Sequence, residues 1–198
     1  MEISYREMNV YDFDKTIYRG DSSIDFFFFC LKRHPRLVIN IPYQLTGFIM
    51  YGIKKIDKTQ LKETFFSFLK LVSSPEKEVE LFWGKNKYKI EKWYFEKRKG
   101  DDVVVSASPE FLLAPICKML EVHDLIGSVV DVQNGKFLQK NCRGEEKVRR
   151  FRNAFPKGEI QEFYSDSNSD RPMATIAKNA YKVNRGGEIV NWNKKAKV

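Results

Sequence analysis

The sequence predicts an α/β fold, a parallel sheet core interrupted by an all-helical insertion between its first and second strands. Three observations predict it. Short apolar or β-branched runs alternate with helix-like segments, as in chains built from βα units. Asp102-Val103-Val104-Val105-Ser106 is a continuous β-branched run, the pattern of a strand buried on both faces. Between residues 20 and 99 the periodicity turns helical and the charge turns basic.

Taken in order, Met8-Asn9-Val10-Tyr11-Asp12-Phe13 reads as the first strand, running into polar residues. Ser22, with Asp25 three residues later, makes a capping-box pattern ahead of four phenylalanines at 26–29, which read as core. Ser74-Pro75-Glu76 opens one long helical segment ending at Lys99, in which Val79, Phe82, Ile90, Trp93 and Tyr94 recur at helical spacing. After the second strand, Ser108 suits the cap of a helix, Pro109 its first position and Glu110 its positive end. Residues 130–137 read as a hairpin turning at Asn134-Gly135. A helix over 144–155 places Val148, Phe151 and Phe155 on one face. Ile160 to Tyr164 reads as a third strand ahead of an acidic cluster, and Asn179 to Val183 as a late strand before a Gly186-Gly187 turn. The implied division is a core of residues 1–19 and 100–198 with a helical cap of residues 20–99.

At 198 residues, 42% apolar and 14% aromatic, the chain can bury a core and is not a disordered one. Cys30, Cys117 and Cys142 are too few and too scattered for a disulfide framework or a thiolate metal site, which favours a reducing, cytoplasmic setting. MEISYREMN at the start holds no apolar run of the kind a secretory leader needs. The net charge of +9 is concentrated: residues 17–99 carry seventeen Lys/Arg against nine Asp/Glu. A basic segment favours anionic partners, among them phosphorylated molecules and acidic lipid surfaces. No RNA- or DNA-binding signature accompanies the charge, so no nucleic-acid partner is expected.

The chemistry-bearing residues sit where these strands end. Asp12 and Asp14 lie two apart beyond the first strand, on one side of the chain, in the crevice where open α/β sheets bind ligands. Such a pair can divide labour: one carboxylate attacks phosphorus while the other moves protons. A divalent cation would offset their repulsion. Ser106 ends the second strand, and with the Ala107 and Ser108 backbone at a helix start it suits a phosphate cradle. Lys147 lies in the first turn of its helix, where the dipole disfavours a cation and a nearby anion would compensate. Asp166 and Asp170 follow the third strand and suit an oxygen-only site for Mg2+. Each of these alone is an ordinary turn, cap or surface residue; their order at successive strand ends is the informative feature.

These four stretches resemble the motifs of the haloacid dehalogenase (HAD) superfamily. Asp12, Asp14 and Thr16 match its first motif, Ser106 its second, Lys147 its third, and Asp166 with Asp170 its fourth. The helical insertion is similar to the cap of the phosphoserine-phosphatase-like subgroup. Cys142 to Val148 and Tyr164 to Pro172 are similar to phosphatidylglycerophosphatase C and its relatives. The resemblance implies a Rossmann-like HAD fold and a Mg2+-dependent phosphatase. It implies Asp12 as nucleophile, Asp14 as general acid/base, and Mg2+ on Asp12, the Asp14 carbonyl and Asp166, with Asp170 in the outer shell. Ser106, Ala107, Ser108 and Lys147 would bind the phosphoryl group. Lys15 stands where many members carry Gly, and Ser169 where an Asn is expected. Asp21 falls where phosphoserine phosphatases carry an acid for the substrate amine, but the rest of that pocket is unmatched.

The substrate class stays open between a small soluble phosphorylated molecule and a phospholipid head group, and phosphoryl transfer to an acceptor other than water is the alternative reaction. Residues 37–53 hold no charge and are flanked by Arg36 and Lys54-Lys55. A buried pair of cap helices is the favoured reading of that run, ahead of an element lying on the inner face of an anionic membrane and of a span.

Overall fold

The computed structural model describes residues 6–192. Its sheet has six strands: β1 (Arg6–Tyr11), β2 (Val103–Pro109), β3 (Asp124–Ser128), β4 (Gly158–Ser165), β5 (Ala177–Val183) and β6 (Ile189–Asn191). Their spatial order is β3-β2-β1-β4-β5-β6. The first five run parallel, and β6 returns antiparallel to β5 across the Gly186-Gly187 turn. The order reverses direction at β1, between β2 and β4, so a crevice opens beyond the end of β1.

Alternation along β1 sends Met8 and Val10 to one face and Tyr11 to the other. The first face is closed by α7 (Glu145–Ala154) and α8 (Arg171–Ile176), through Phe151 and Met173 against Val10, Val103, Val105, Ile160 and Phe163. The expected helix over 144–155 is α7, with Val148 and Phe155 packed beside Phe151. On the other face, Tyr11, Tyr164 and Tyr181 stack across three neighbouring strands at 5.0 Å centroid spacing. Such offset stacks add to simple area burial.

Between β1 and β2 come α1 (Ser22–Arg33), α2 (Ile41–Gly52), α3 (Lys58–Phe66), α4 (Pro75–Asn86) and α5 (Lys92–Lys97), joined by 3-10 turns at Pro35–Asn40, Ser67–Leu71 and Lys87–Lys89. These helices share one buried cluster with the sheet. Phe26, Phe66, Phe68, Phe82 and Trp83 join Phe13, Leu112 and Ile116, the last two from α6 (Glu110–Met119). Trp93 and Tyr94 of α5 lie on the tyrosine stack. The Trp83 indole N–H donates to the Leu112 carbonyl at 2.6 Å, so a large aromatic is buried with its polar atom satisfied.

Several local expectations need correction. Asp21, not Ser22, caps α1 by accepting from the Ile24 amide, while Asp25 accepts from the Tyr18 hydroxyl and pairs with Lys89. A carboxylate is a strong N-cap, and it stands one residue earlier than the pattern suggested. Ser108 caps nothing: β2 continues to Pro109 and α6 starts at Glu110, because the Ser108 hydroxyl is drawn to Asp14 instead. The segment from Pro75 breaks after Asn86, and Ile90 there pairs with Tyr18 as an isolated bridge.

The buried helix pair expected over 37–53 is not found. Leu37, Gln44 and Gly47 face inward, while the other large apolar side chains of the 3-10 turn and α2 are mostly exposed. Of the four phenylalanines, Phe26 and Phe27 are buried, Phe29 packs partly, and Phe28 faces out. The hairpin over 130–137 forms as an isolated Val130–Phe137 bridge, with Gly135 in the left-handed region at φ 76°. A Cβ there would collide with the Phe66 backbone, so the turn needs glycine for space as well as for conformation. The opening residues 1–5 read for a leader lie outside the described residues.

Because Trp83 joins the helical layer to α6, Trp83→Ala should cost about 3–5 kcal/mol of unfolding free energy, read from urea denaturation. A loss below about 1 kcal/mol would show that the two layers do not share one core.

Candidate active site

β1 delivers Asp12 into the crevice, where its amide donates to the Tyr164 carbonyl at 2.9 Å. Chain direction then brings Asp14 to the side of the insertion. Its carboxylate accepts from the Ser22 amide of α1 at 2.7 Å and from the Ser108 hydroxyl. Between them, Lys15 holds a left-handed backbone at φ 57°, a conformation costly for a residue with a Cβ. That is where glycine stands in many sequences of this pattern, and it explains why Lys15 is the departure with a backbone consequence. Thr16 joins the first and last motifs, since its hydroxyl accepts from the Asp166 amide at 3.0 Å.

Lys147 is the centre of the site. Gly144, at φ 59° and ψ −128°, opens α7 in a conformation that favours glycine and sets Lys147 in the first turn. The residue is 1% exposed, and its ammonium lies 2.7 Å from both Asp12 Oδ1 and Asp170 Oδ2. Asp170 also accepts from the Ser165 hydroxyl at 2.8 Å. Two carboxylates thus compensate for a cation at the wrong end of a helix dipole. Burial works against the lysine's charge, but the two carboxylates outweigh it and raise its pKa. Asp12 is pushed up to about 7, by burial first and by Asp170 next, against the pull of Lys147. Asp14 is pushed up to about 6, by burial and then by Asp21, against the Ser108 and Ser22 hydrogen bonds.

Asp12, Asp14, Asp21, Ser106, Ala107, Ser108, Lys147, Asp166 and Asp170 line one cavity of about 310 Å³, so the expected catalytic, phosphate-binding and metal-ligand residues meet there, while Thr16 is buried behind it. Their spacing along the chain exceeds 150 residues, and only the parallel sheet brings them together. Two details differ from expectation. The Ser108 amide donates to Ser106 Oγ at 3.1 Å, so it is engaged within the strand end, and the helix N-terminus lies two residues further on. Asp21 lines the cavity while one of its oxygens caps α1.

The donor set suits a hard cation. Among the described residues, no three His, Cys, Asp or Glu side chains cluster closely enough to hold a metal on side chains alone. Mg2+ does not require that, because it binds through one or two carboxylates and keeps waters and phosphate oxygens. The Asp166 carboxylate, raised in pKa by burial first and then by Asp170 against the pull of Lys15, has no ion-pair partner within 4.0 Å among the described residues. A cation between Asp12 and Asp166, with the Asp14 carbonyl, would supply the missing counter-charge.

Sequence reasoning missed Lys58, Lys62 and Arg143, which also line the cavity. Lys62 reaches in from α3 and donates to the Ala107 carbonyl at 2.6 Å, and burial lowers its pKa to about 8. It is one of seventeen basic residues in its stretch, and no local pattern marks it out. Arg143 had a signal, its place just before the glycine that opens α7. The upper wall is apolar, made by Ile24, Phe48, Leu61, Phe65 and Phe66.

This fold and this arrangement of strand-end residues define a class: the chain belongs to the haloacid dehalogenase-like hydrolases, whose family profile matches residues 10–175. Among curated proteins, it is 35% identical over 102 residues to Protein CicA of Caulobacter vibrioides strain NA1000 / CB15N, a match covering 48% of this chain and 46% of that one. The match thus spans about half the length of the curated relatives. Among solved structures, a Bordetella pertussis Tohama I protein of unknown function superposes with a TM-score of 0.71 at 19% identity, covering 89% of both chains. A probable phosphoserine phosphatase from Vibrio cholerae superposes with a TM-score of 0.62 at 12% identity, over 88% of this chain and 55% of that one. Both share the fold.

Removing the ammonium would leave two buried carboxylates facing each other. Lys147→Met should therefore cost about 3–5 kcal/mol at neutral pH in the presence of EDTA. Asp12, already raised by burial, would lose the pull of Lys147, so its folded-state pKa would rise further above its unfolded value. The folded state would hold more protons than the unfolded one, so stability should fall as pH rises and recover toward pH ~5. Urea titrations at both pH values check the sign; equal losses at both would show that the lysine acts by packing alone.

Proposed function

We propose that this chain is a Mg2+-dependent phosphomonoesterase that forms an aspartyl-phosphate on Asp12 and hydrolyses it. The observation that supports this best is the Asp12–Lys147–Asp170 arrangement at the base of a cavity, with Asp14 held separately on its other side. The Asp12 oxygen attacks phosphorus and the ester oxygen departs. Asp14, whose carboxylate is tied to Ser22 at the edge of the helical layer, lines the same cavity and serves the leaving group on this reading. A carboxyl with a pKa near 6 can give a proton to that oxygen and then take one from the attacking water. Ser106, the Ala107 backbone and Lys147 hold the phosphoryl oxygens, with Ser108 positioning Asp14. Mg2+, held by Asp12, the Asp14 carbonyl and Asp166, would offset charge on the phosphoryl group.

The rest of the cavity bears on the substrate. Its apolar wall suits an apolar or amphiphilic body on the leaving group. The Lys62 ammonium, with a single carbonyl partner among its hydrogen bonds, suits a second anionic group near the ester. These features favour an amphiphilic monoester, of which a phospholipid head group is one kind, over a phospho-amino acid.

Asp12→Asn should lower turnover of p-nitrophenyl phosphate to the background while preserving the thermal transition; near-normal turnover would refute the nucleophile. Asp14→Asn should lower kcat about 10²–10⁴-fold, the range of a lost general acid/base. EDTA should silence the wild type and Mg2+ restore it. Lys62→Met should raise KM about tenfold for an anionic amphiphilic ester, equivalent to about 1.4 kcal/mol, with a smaller change in kcat. An unchanged KM would remove Lys62 from substrate binding.

A further inference from the structure

The 3-10 turn at Pro35–Asn40 and α2 expose an apolar surface that the rest of the chain leaves uncovered. Ile39 is 79% exposed, Ile49 64%, Ile53 62% and Phe48 52%. The inward side of α2 is narrow and well anchored: Gln44 donates to the Phe65 carbonyl at 2.7 Å, and Gly47 lies against Thr64 of α3. The exposed side is therefore not a helix waiting to turn inward. Isolated exposed apolar residues are ordinary, but so many large ones in one short segment, from Val38 to Ile53, mark an interaction site.

Charge identifies the occupant. Residues 32–62 carry seven Lys/Arg and one acid, Asp57. Arg36 precedes the apolar row and Lys54 and Lys55 follow it, all exposed. We propose that this face docks on the surface of an anionic phospholipid bilayer, with α2 lying in the interface and the flanking cations at the head groups. A short apolar helix with basic flanks suits that position, and its cations are attracted to an anionic leaflet. Among the described residues, no helix is long and apolar enough to cross a membrane, so the contact is with one leaflet. A second copy of this chain fits less well, because a two-fold contact would bring the two basic flanks together.

Position gives the contact a consequence. Phe48 belongs both to the exposed row and to the cavity wall, and Lys58 lines the cavity just beyond Lys54-Lys55. The cavity mouth therefore opens at the docking face, and a phosphomonoester borne in the leaflet could enter below α2 without leaving the interface. That consequence rests on Asp12 as the phosphoryl acceptor; the docking does not.

The experiment is sedimentation of the full chain with vesicles of phosphatidylcholine, alone or mixed with phosphatidylglycerol. The wild type should sediment with the mixed vesicles, not with the neutral ones, and should be released by high salt. Ile39→Ser/Ile49→Ser and Lys54→Glu/Lys55→Glu should each cut the bound fraction about tenfold or more. Both should keep the thermal transition and the p-nitrophenyl phosphate turnover of the wild type without lipid. Absence of sedimentation, or sedimentation insensitive to both pairs, overturns the proposal. So does a dimer in analytical ultracentrifugation that Ile39→Ser/Ile49→Ser dissolves while vesicle binding is absent. Vesicle binding by a wild type that cannot turn over any monoester would instead refute the phosphatase reading and leave the docking face standing.

Discussion

One buried ammonium holds this site together. Lys147 lies within hydrogen-bond distance of Asp12 and Asp170, carboxylates from opposite ends of the chain, and it is nearly sealed from water. Without it, the two buried acids would repel each other with no cation between them. With it, one cation serves two anions, so the group retains negative character, which on the proposed reading a metal cation would offset. Asp166, half-buried and without an ion-pair partner among the described residues, lies beside this group in the cavity. The same lysine is unfavourable at its helix's N-terminus, a local cost accepted where the tertiary fold supplies the anions.

The helical layer is not an independent lid with its own core. Phe26, Phe66, Phe82 and Trp83 are continuous with Phe13, Leu112 and Ile116 of the sheet layer. Lys62, Thr59 and Glu63 of α3 bond to Ala107, Asn141 and Phe137 on the sheet side. This places α3 over the cavity and gives its wall two characters: carboxylates and hydroxyls below, phenylalanines and lysines above. On the proposed reading, phosphoryl capture and substrate selection come from different layers, which meet at Asp14, Ser22 and Ser108.

Much of the fold was legible because strands and helices announce themselves by periodicity. The β-branched run at 103–105 and the alternation of apolar segments led to the parallel sheet, and the motifs at its strand ends fell into one cavity. Boundaries were less legible. Ser108 has the chemistry of a cap, yet a carboxylate 94 positions away in sequence competes for its hydroxyl and wins. Asp21 and Ser22 are both credible caps, and the one placed by the preceding turn prevails.

The sequence by itself determined the α/β alternation, the helical insertion and the acids, serine and lysine at the strand ends, because these depend on local periodicity and residue chemistry. Only the tertiary structure decided which lysines of the insertion, Lys58 and Lys62, reach the cavity, and which apolar helix stays uncovered. Those outcomes depend on what packs opposite a residue. An uncharged run such as 37–53 has the same composition whether it is buried or exposed, and only the neighbouring surfaces separate the two.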